Sequence, residues 1–277
     1  MNQGLKDLTK LFSLDEKVVV LTGGGGILGR HFASALVQFG ATVVVADLNF
    51  ESAAAVCQEI LNDFSLEAHP FELDVSSEAS VKSLMEFVVD KFGRLDVLHN
   101  NAASKSSDLK RFFANTEDYD MDIWHEVMEV NLKGMFLMAR AAGALMARQE
   151  TGGSIIQTAS IYGILSPDQR IYEGAEYMGV QINNPAVYSI SKAGVVGLTR
   201  HLSTQWLGSK VRVNTITPGG VESGQNDTFK KNYSNRVPMG RMADANEMVG
   251  ALIYLASDAS TYVTGQNVIV DGGLSAW

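Results

Sequence analysis

A single cysteine, Cys57, stands among 277 residues, which excludes an intrachain disulfide and suits a reducing compartment. The five histidines (His31, His69, His99, His125, His201) are scattered. No His/Cys cluster has metal-ligand spacing, so no metal site is expected. No run of Lys or Arg occurs, and 22 basic against 31 acidic side chains leave a formal net charge of −9. A nucleic-acid binder would carry a basic stripe, so that class is disfavoured, and a membrane-surface role falls on the same ground. No stretch approaches the roughly 18 uninterrupted apolar residues of a membrane-spanning helix. Met1 to Glu16 carries Lys6, Asp7, Lys10, Asp15 and Glu16 and lacks the apolar core of a signal peptide, so a cytoplasmic location is expected. No linker-like stretch, low-complexity segment or internal repeat divides the chain.

What is present is an ordinary globular composition, 46% hydrophobic and 19% charged, sufficient for a sizeable core. Short apolar runs alternate with helical patterns. Strands are expected at Lys17–Leu21, Thr42–Asp47, Ala68–Leu73, Leu95–His99, Gly153–Thr158, Val211–Thr217 and Asn267–Val270. Helices are expected at Leu28–Phe39, Glu51–Asn62, Glu78–Phe92, Asp120–Val130, Leu132–Gln149, Ala186–Trp206 and Asn246–Ser257. Most strands are β-branched and apolar rather than alternating, the pattern of a parallel sheet covered on both faces. Repeated βα units predict an α/β, doubly wound Rossmann-type sheet in one domain, residues 14–277, preceded by an N-terminal extension, 1–13.

The first strand leads into Thr22-Gly23-Gly24-Gly25-Gly26-Ile27-Leu28-Gly29, in which Gly24, Gly26 and Gly29 satisfy G-x-G-x-x-G between a strand and a helix. Glycines let the backbone turn tightly and approach a pyrophosphate, and the helix N-terminus offers unpaired N–H groups to the anion. Asp47 ends the second strand, 18 positions after Gly29. A carboxylate there accepts hydrogen bonds from the adenosine ribose hydroxyls and repels a 2′-phosphate. No basic residue lies between Thr22 and Leu28, and Leu48, Asn49 and Phe50 follow Asp47, so NAD is expected over NADP.

Tyr188-Ser189-Ile190-Ser191-Lys192 opens a long helix and is the only Tyr-x-x-x-Lys in the chain. Residues i and i+4 share a helix face. A phenol with a pKa near 10 needs roughly 4 kcal/mol of help to ionise at neutrality, which a nearby ammonium can supply.

With these landmarks the chain strongly resembles the short-chain dehydrogenase/reductase family, from about Leu14 onwards. The order matches: the glycine motif, Asp74-Val75, Asn100-Asn101-Ala102-Ala103, Asn131, Ser160, Tyr188 with Lys192, Pro218-Gly219, and Val270-Asp271-Gly272-Gly273. The resemblance implies roles. Tyr188 is the general acid/base, and Lys192 lowers its pKa and holds the nicotinamide ribose. Ser160 hydrogen-bonds the substrate oxygen, and Asn131 holds a water on the proton path. Cofactor contacts are implied for Thr22, Gly23, Gly26, Ile27, Leu28, Asp47, Asp74, Val75, Asn101, Ala102, Tyr188, Lys192, Pro218, Gly219, Val221 and Ser223. A homodimer or homotetramer is implied as well.

The chain also departs from the family. Ile27 takes the place of the usual middle glycine, giving T-G-x-x-G-x-x-G, a spacing typical of larger members that modify nucleotide sugars. Ala103 replaces the usual glycine after Asn-Ala. Ser160 and Tyr188 lie 28 positions apart, about twice the family's separation. The additional residues fall within 164–185 and are expected to wall the substrate cleft, the alternative being a surface excursion or an oligomer contact, with Asp168, Gln169, Arg170, Glu173, Gln181, Asn183 and Asn184 suited to hydroxyl recognition. Ile161-Tyr162-Gly163, Ile171-Tyr172-Glu173-Gly174, Pro218-Gly219-Gly220-Val221 and Thr264-Gly265-Gln266-Asn267 are similar to bacterial oxidoreductases associated with flagellin-modification sugars. The expectation is an NAD(H)-dependent oxidoreductase interconverting a secondary alcohol and a ketone on a sugar-like or polyhydroxylated small molecule. The alternatives are a sugar-nucleotide epimerase or dehydratase, which the glycine spacing favours, and a non-catalytic NAD-binding regulator on the same fold.

Overall fold

The computed structural model describes residues 8–277, so the start of the N-terminal extension lies outside the described residues. From there the chain alternates strand and helix: β1 (Val18–Thr22), α1 (Ile27–Gln38), β2 (Thr42–Asp47), α2 (Phe50–Phe64), β3 (Ala68–Glu72), α3 (Glu78–Phe92) and β4 (Val97–Asn100). The second half adds α4 (Leu109–Phe112), α5 (Met121–Met128), a π-helical turn (Glu129–Gly134), α6 (Met135–Met146), β5 (Gly153–Thr158), the two-residue strands β6 (Glu176–Tyr177) and β7 (Val180–Gln181), and α7 (Ala186–Leu202). It closes with β8 (Val211–Pro218), α8 (Asp227–Ser234), α9 (Val249–Ala256) and β9 (Asn267–Val270).

Seven strands form one sheet in the order β3-β2-β1-β4-β5-β8-β9, every neighbouring pair parallel. The strand order reverses between β1 and β4. Ligands of open α/β sheets bind in the crevice outside the carboxyl ends at that reversal. The apolar runs are explained by burial on both faces. Val19 and Leu21 of β1 pack with Phe32 and Leu36 of α1 and Leu252 of α9, whereas Val18 and Val20 face Leu84 and Val88 of α3 and Met138 of α6. Each such buried side chain contributes about 1.5–3 kcal/mol. Pro70, which lacks an N–H, sits in β3, where the edge position tolerates it.

Local chemistry sets the ends of the helices. Asn49 caps α2 by accepting from the Ser52 N–H, Ser77 caps α3 through the Ser80 N–H, and Gly93 closes α3 at φ +73°. Several expected boundaries differ. The helix expected to reach Trp206 ends at Leu202, where the chain passes into turns. The helix expected from Asn246 begins at Val249, because Ala245–Met248 forms a 3₁₀ turn held by an Asp244/Glu247 capping box. The pair expected on either side of 131 is one rod, with the π turn bridging α5 and α6. Helices α4 and α8 and the β6–β7 hairpin carry too few apolar positions to announce themselves by periodicity. In the hairpin, Met178 (φ +52°) and Gly179 (φ +76°) form the two-residue turn, both in the left-handed region that such tight turns require.

Candidate active site

The glycine turn lies at the carboxyl end of β1. Gly23 holds φ +65°, and a Cβ there would stand 2.8 Å from Ala102 Cα. A Cβ on Gly29 would lie 2.1 Å from the Gly23 carbonyl oxygen, so helix α1 can approach the turn only with glycine there. Gly26 precedes α1 with no side-chain cap on the helix, which leaves its first N–H groups open towards the cleft. This cleft, about 370 Å³, is lined by Gly23, Gly26, Ile27, Leu28, Asp47 and Asn101 at one end and by Ser160, Tyr188, Lys192, Pro218, Gly219, Val221 and Ser223 at the other. An uncapped helix start, a glycine cradle and a carboxylate along one groove fit a dinucleotide.

Asp47 holds the glycine turn from below. Its Oδ2 accepts from the Gly25 N–H at 3.0 Å and its Oδ1 from the Asn49 N–H at 3.0 Å. Arg30, the first cation of α1, is turned away and paired with Glu59. Four residues expected to touch the cofactor stand back from the groove. Thr22 is fully buried and its hydroxyl accepts from the Asn101 and Ala102 N–H groups, joining β1 to β4. Ala102 packs under Gly23. Asp74 accepts from Ser76, through both the N–H and the hydroxyl, and Val75 packs against Gly134.

At the other end the four expected catalytic residues come from three elements. Ser160 follows β5, and its Oγ accepts from the Tyr162 N–H at 3.3 Å, starting a 3₁₀ turn over Ile161–Gly163. That turn lies directly on α7: a Cβ on Gly163 would come 2.6 Å from the Lys192 carbonyl carbon. The close approach brings Ser160 beside Tyr188, and both line the same two cavities. Lys192 is buried one turn further along α7, its Nζ donating to the Thr158 carbonyl at 3.0 Å and standing 6.0 Å from the Tyr188 ring centroid. Asn131 is buried in the π turn. Its side chain clamps the backbone of Ser104, accepting from the N–H at 2.7 Å and donating to the carbonyl at 3.2 Å.

The electrostatics differ from the expectation in one respect. Burial raises the Tyr188 phenol above its ordinary value, and the neighbouring Ser160 hydroxyl only partly offsets it. Burial also pulls the Lys192 ammonium down to about 8. Burial thus shifts both groups towards their neutral forms, but an ammonium at about 8 is still mostly charged at neutral pH and stands beside the phenol. His99, beneath them on β4, contacts the Thr158 hydroxyl at 3.0 Å and is held neutral by burial, at about 3.

A second cavity, about 200 Å³, adjoins the groove and shares Lys105, Ser160, Tyr188, Gly219 and Val221 with it. Its walls are largely aromatic, with Phe112 and Phe113 near α4, Tyr172 and Tyr177 from segment 164–185, and Phe229 and Tyr233 from α8. Of the seven polar side chains expected to recognise hydroxyls, only Asn183 and Asn184 line it. Asp168 is spent on Arg170 and Arg236, and Gln169, Glu173 and Gln181 face solvent. Those positions are polar because the segment's other side is surface. Sequence reasoning did not single out Lys105, Phe112, Tyr177 or Gln225. The available signal was position alone: Lys105 follows the carboxyl end of β4, beside the sheet's reversal point. No group of three or more potential metal-ligating side chains gathers among the described residues, and no helix among them is long and apolar enough to cross a membrane.

Comparison with known proteins agrees with this arrangement. Residues 25–275 match the model of a family described as enoyl-(acyl carrier protein) reductase. A D-threitol dehydrogenase of Mycolicibacterium smegmatis is 34% identical, the match covering 95% of this chain and 94% of that protein. A 3-oxoacyl-[acyl-carrier-protein] reductase of Thermotoga maritima is 32% identical over 94% and 98%. An NADP-dependent mannitol dehydrogenase of Alternaria alternata is 32% identical over 96% and 95%. Among solved structures, a short-chain type dehydrogenase/reductase from Mycobacterium marinum superposes with a TM-score of 0.85 at 29% identity, covering 98% of this chain and 100% of that one. A short-chain dehydrogenase from Leptospira borgpetersenii with bound NAD+ gives 0.83 at 30% identity, over 99% and 98%. The ordered landmarks, the seven-stranded parallel sheet and these matches give one conclusion: the chain belongs to the short-chain dehydrogenase/reductase family and is an oxidoreductase.

Proposed function

We propose that this enzyme interconverts a secondary alcohol and a ketone on a sugar-like or polyhydroxylated small molecule, with NAD(H) as its cofactor. The observation that carries the reading is that Ser160 and Tyr188 line both the cofactor-sized groove and the smaller cavity, so one oxygen atom of a bound substrate can meet both hydroxyls at the junction. The nicotinamide, when bound, accepts or supplies the hydride. The chain's own residues manage the proton. Tyr188 takes it from the alcohol during oxidation and returns it during reduction, and the Ser160 hydroxyl stabilises the substrate oxygen as its charge grows. Lys192, fixed by the Thr158 carbonyl, holds a positive charge near the phenol while it is ionised. Asn131 keeps the Ser104 loop in place beside the groove.

The cavity is smaller than the roughly 300–1,000 Å³ of drug-sized clefts, which supports a compact substrate. The relatives that act on threitol and mannitol support a polyol-like one. Asp47 supports NAD: its carboxylate faces the groove and the nearest α1 cation is committed elsewhere. The relatives use both cofactors, so this choice rests on Asp47. A homodimer or homotetramer is proposed from family membership.

The test is a panel of polyols, sugars and sugar phosphates incubated with NAD and with NADP, followed through the absorbance of the reduced nicotinamide. Net reduction of NAD is expected, with kcat/KM at least tenfold above that for NADP, and Asp47→Ala is expected to narrow that gap. Equal efficiency with the two cofactors in the wild type contradicts the role of Asp47. Conversion of a substrate with no net change in NADH contradicts the dehydrogenase reading and favours an epimerase or dehydratase.

A further inference from the structure

The cavity beside Tyr188 contains one charged side chain and no carboxylate. Every acidic residue is absent from its lining, although the whole chain carries a net charge of −9. The charged residue is Lys105. It forms no hydrogen bond or ion pair among the described residues. Instead, its Nζ lies over the Tyr177 ring, 4.5 Å from the centroid. Solvent reaches Lys105 and hydrates its ammonium, and at such an exposed site an aromatic face adds only about 0.5–1 kcal/mol, so the charge is left free for a ligand.

The position of Lys105 is built rather than incidental. On one side, Asn131 pins Ser104 through two hydrogen bonds. On the other, Ser106 adopts φ +63°, donates its N–H to Ser104 Oγ and its hydroxyl to Glu126. The loop therefore spends two clamps and one left-handed residue on presenting a lysine to the recess. Lys105 remains accessible from solvent, yet the surrounding protein lowers its pKa, and no carboxylate acts against that effect.

We infer that Lys105 receives an anionic group of the substrate, a carboxylate or a phosphate, while Ser160 and Tyr188 hold the oxygen to be oxidised. This rests on the dehydrogenase reading above and narrows it: the natural substrate is a hydroxy acid or phosphorylated polyol rather than a neutral polyol. Lys105 also borders the groove, so the rival assignment is a contact with the cofactor's own phosphates.

Lys105→Met removes the charge, keeps most of the volume and breaks no hydrogen bond, so the variant should fold. Three chemically matched probes separate the outcomes: glucitol, its carboxylate relative gluconate, and glucitol phosphate. The wild type is expected to use an anionic probe with a kcat/KM at least tenfold above that for glucitol. Lys105→Met should lower the anionic value about ten- to hundredfold, the range of a charged hydrogen bond, and lower the glucitol value at least tenfold less than that, without a matching rise in the NADH dissociation constant. Lys105→Arg should restore part of the loss. Calorimetric titration of inorganic phosphate and of tartrate into the NADH-saturated protein gives a readout that does not depend on turnover. Binding should be at least tenfold weaker in Lys105→Met. Equal anion affinity in the two proteins, or a preference of the wild type for glucitol, overturns the inference and leaves the dehydrogenase reading standing. A rise in the NADH dissociation constant matching the loss in kcat/KM assigns Lys105 to the cofactor instead. Failure of the wild type to bind NADH removes the reading on which the inference rests.

Discussion

At the scale of single residues, the site stores electrostatic cost. Lys192 is buried with one carbonyl partner, and burial draws its pKa from 10.5 to about 8. The folded protein thus binds its proton less tightly than the unfolded chain does. Below pH 8 both states carry the charge and the fold bears the cost. Between about pH 8 and 10.5 the folded state releases the proton first, and stability rises with pH on this account. Lys192→Met removes that dependence. Compared with the Met variant, the wild type should gain up to about 3 kcal/mol over this window, measured by urea unfolding at a series of pH values. Parallel stability profiles for the two proteins contradict the buried, destabilised ammonium. A lysine kept in so costly a place is consistent with a functional role, since natural sites often give up stability for function.

At the scale of elements, segment 164–185 joins Ser160 to Tyr188. It is not loosely attached. Ile171, Tyr172, Ala175 and Ile182 form a small core with Phe229 and Tyr233 of α8. Asn226 and Asn232 donate to the carbonyls of Gly174, Ile171 and Glu173, strapping the segment to the same helix. If it walls the substrate cavity, Tyr177→Ala should raise KM about tenfold while leaving the NADH dissociation constant unchanged. Shortening the segment to a tight turn should do so more strongly or reorder substrate preference. The small core makes the shortened protein the riskier variant, so Tyr177→Ala is the more secure one. Folded, NADH-binding variants with unaltered kinetics contradict the wall.

The sheet was legible because period and burial agree. β1 and β2 are apolar on both faces, and Gly23 and Gly40 stand just outside them. The order of Ser160, Tyr188 and Lys192 was legible because Ser160 follows the end of β5, Tyr188 lies in the first turn of α7 and Lys192 one turn later, a spacing with a chemical signature. Helix α8 was not legible: its sequence, DTFKKNYS, buries only Phe229 and Tyr233, and the partner that makes it a helix comes from a distant segment. The cavity's character is not legible for the same reason: the polar residues of segment 164–185 suggest a polar wall, whereas tertiary packing turns its aromatic side chains to the cavity and most polar ones to solvent. Lys105 carries no local pattern at all; its meaning arises only from what surrounds it.

At the scale of the molecule, the parallel sheet brings the glycine turn after β1, Ser160 after β5 and the β8 loop at Pro218–Gly219 to one end of the fold, where α7 sets Tyr188 between two cavities. The groove and the proton-transfer position are therefore separable: one can lose chemistry and keep the cofactor. Tyr188→Phe deletes a single oxygen from a ring that otherwise stays packed. The measurement is NADH affinity by fluorescence titration, alongside turnover of the best substrate, for this variant and the wild type. The account predicts a dissociation constant within about threefold of the wild type and a kcat at least about a hundredfold lower, the usual size of a general acid/base contribution. A Tyr188→Phe protein that binds NADH and retains more than about a tenth of wild-type turnover would contradict it.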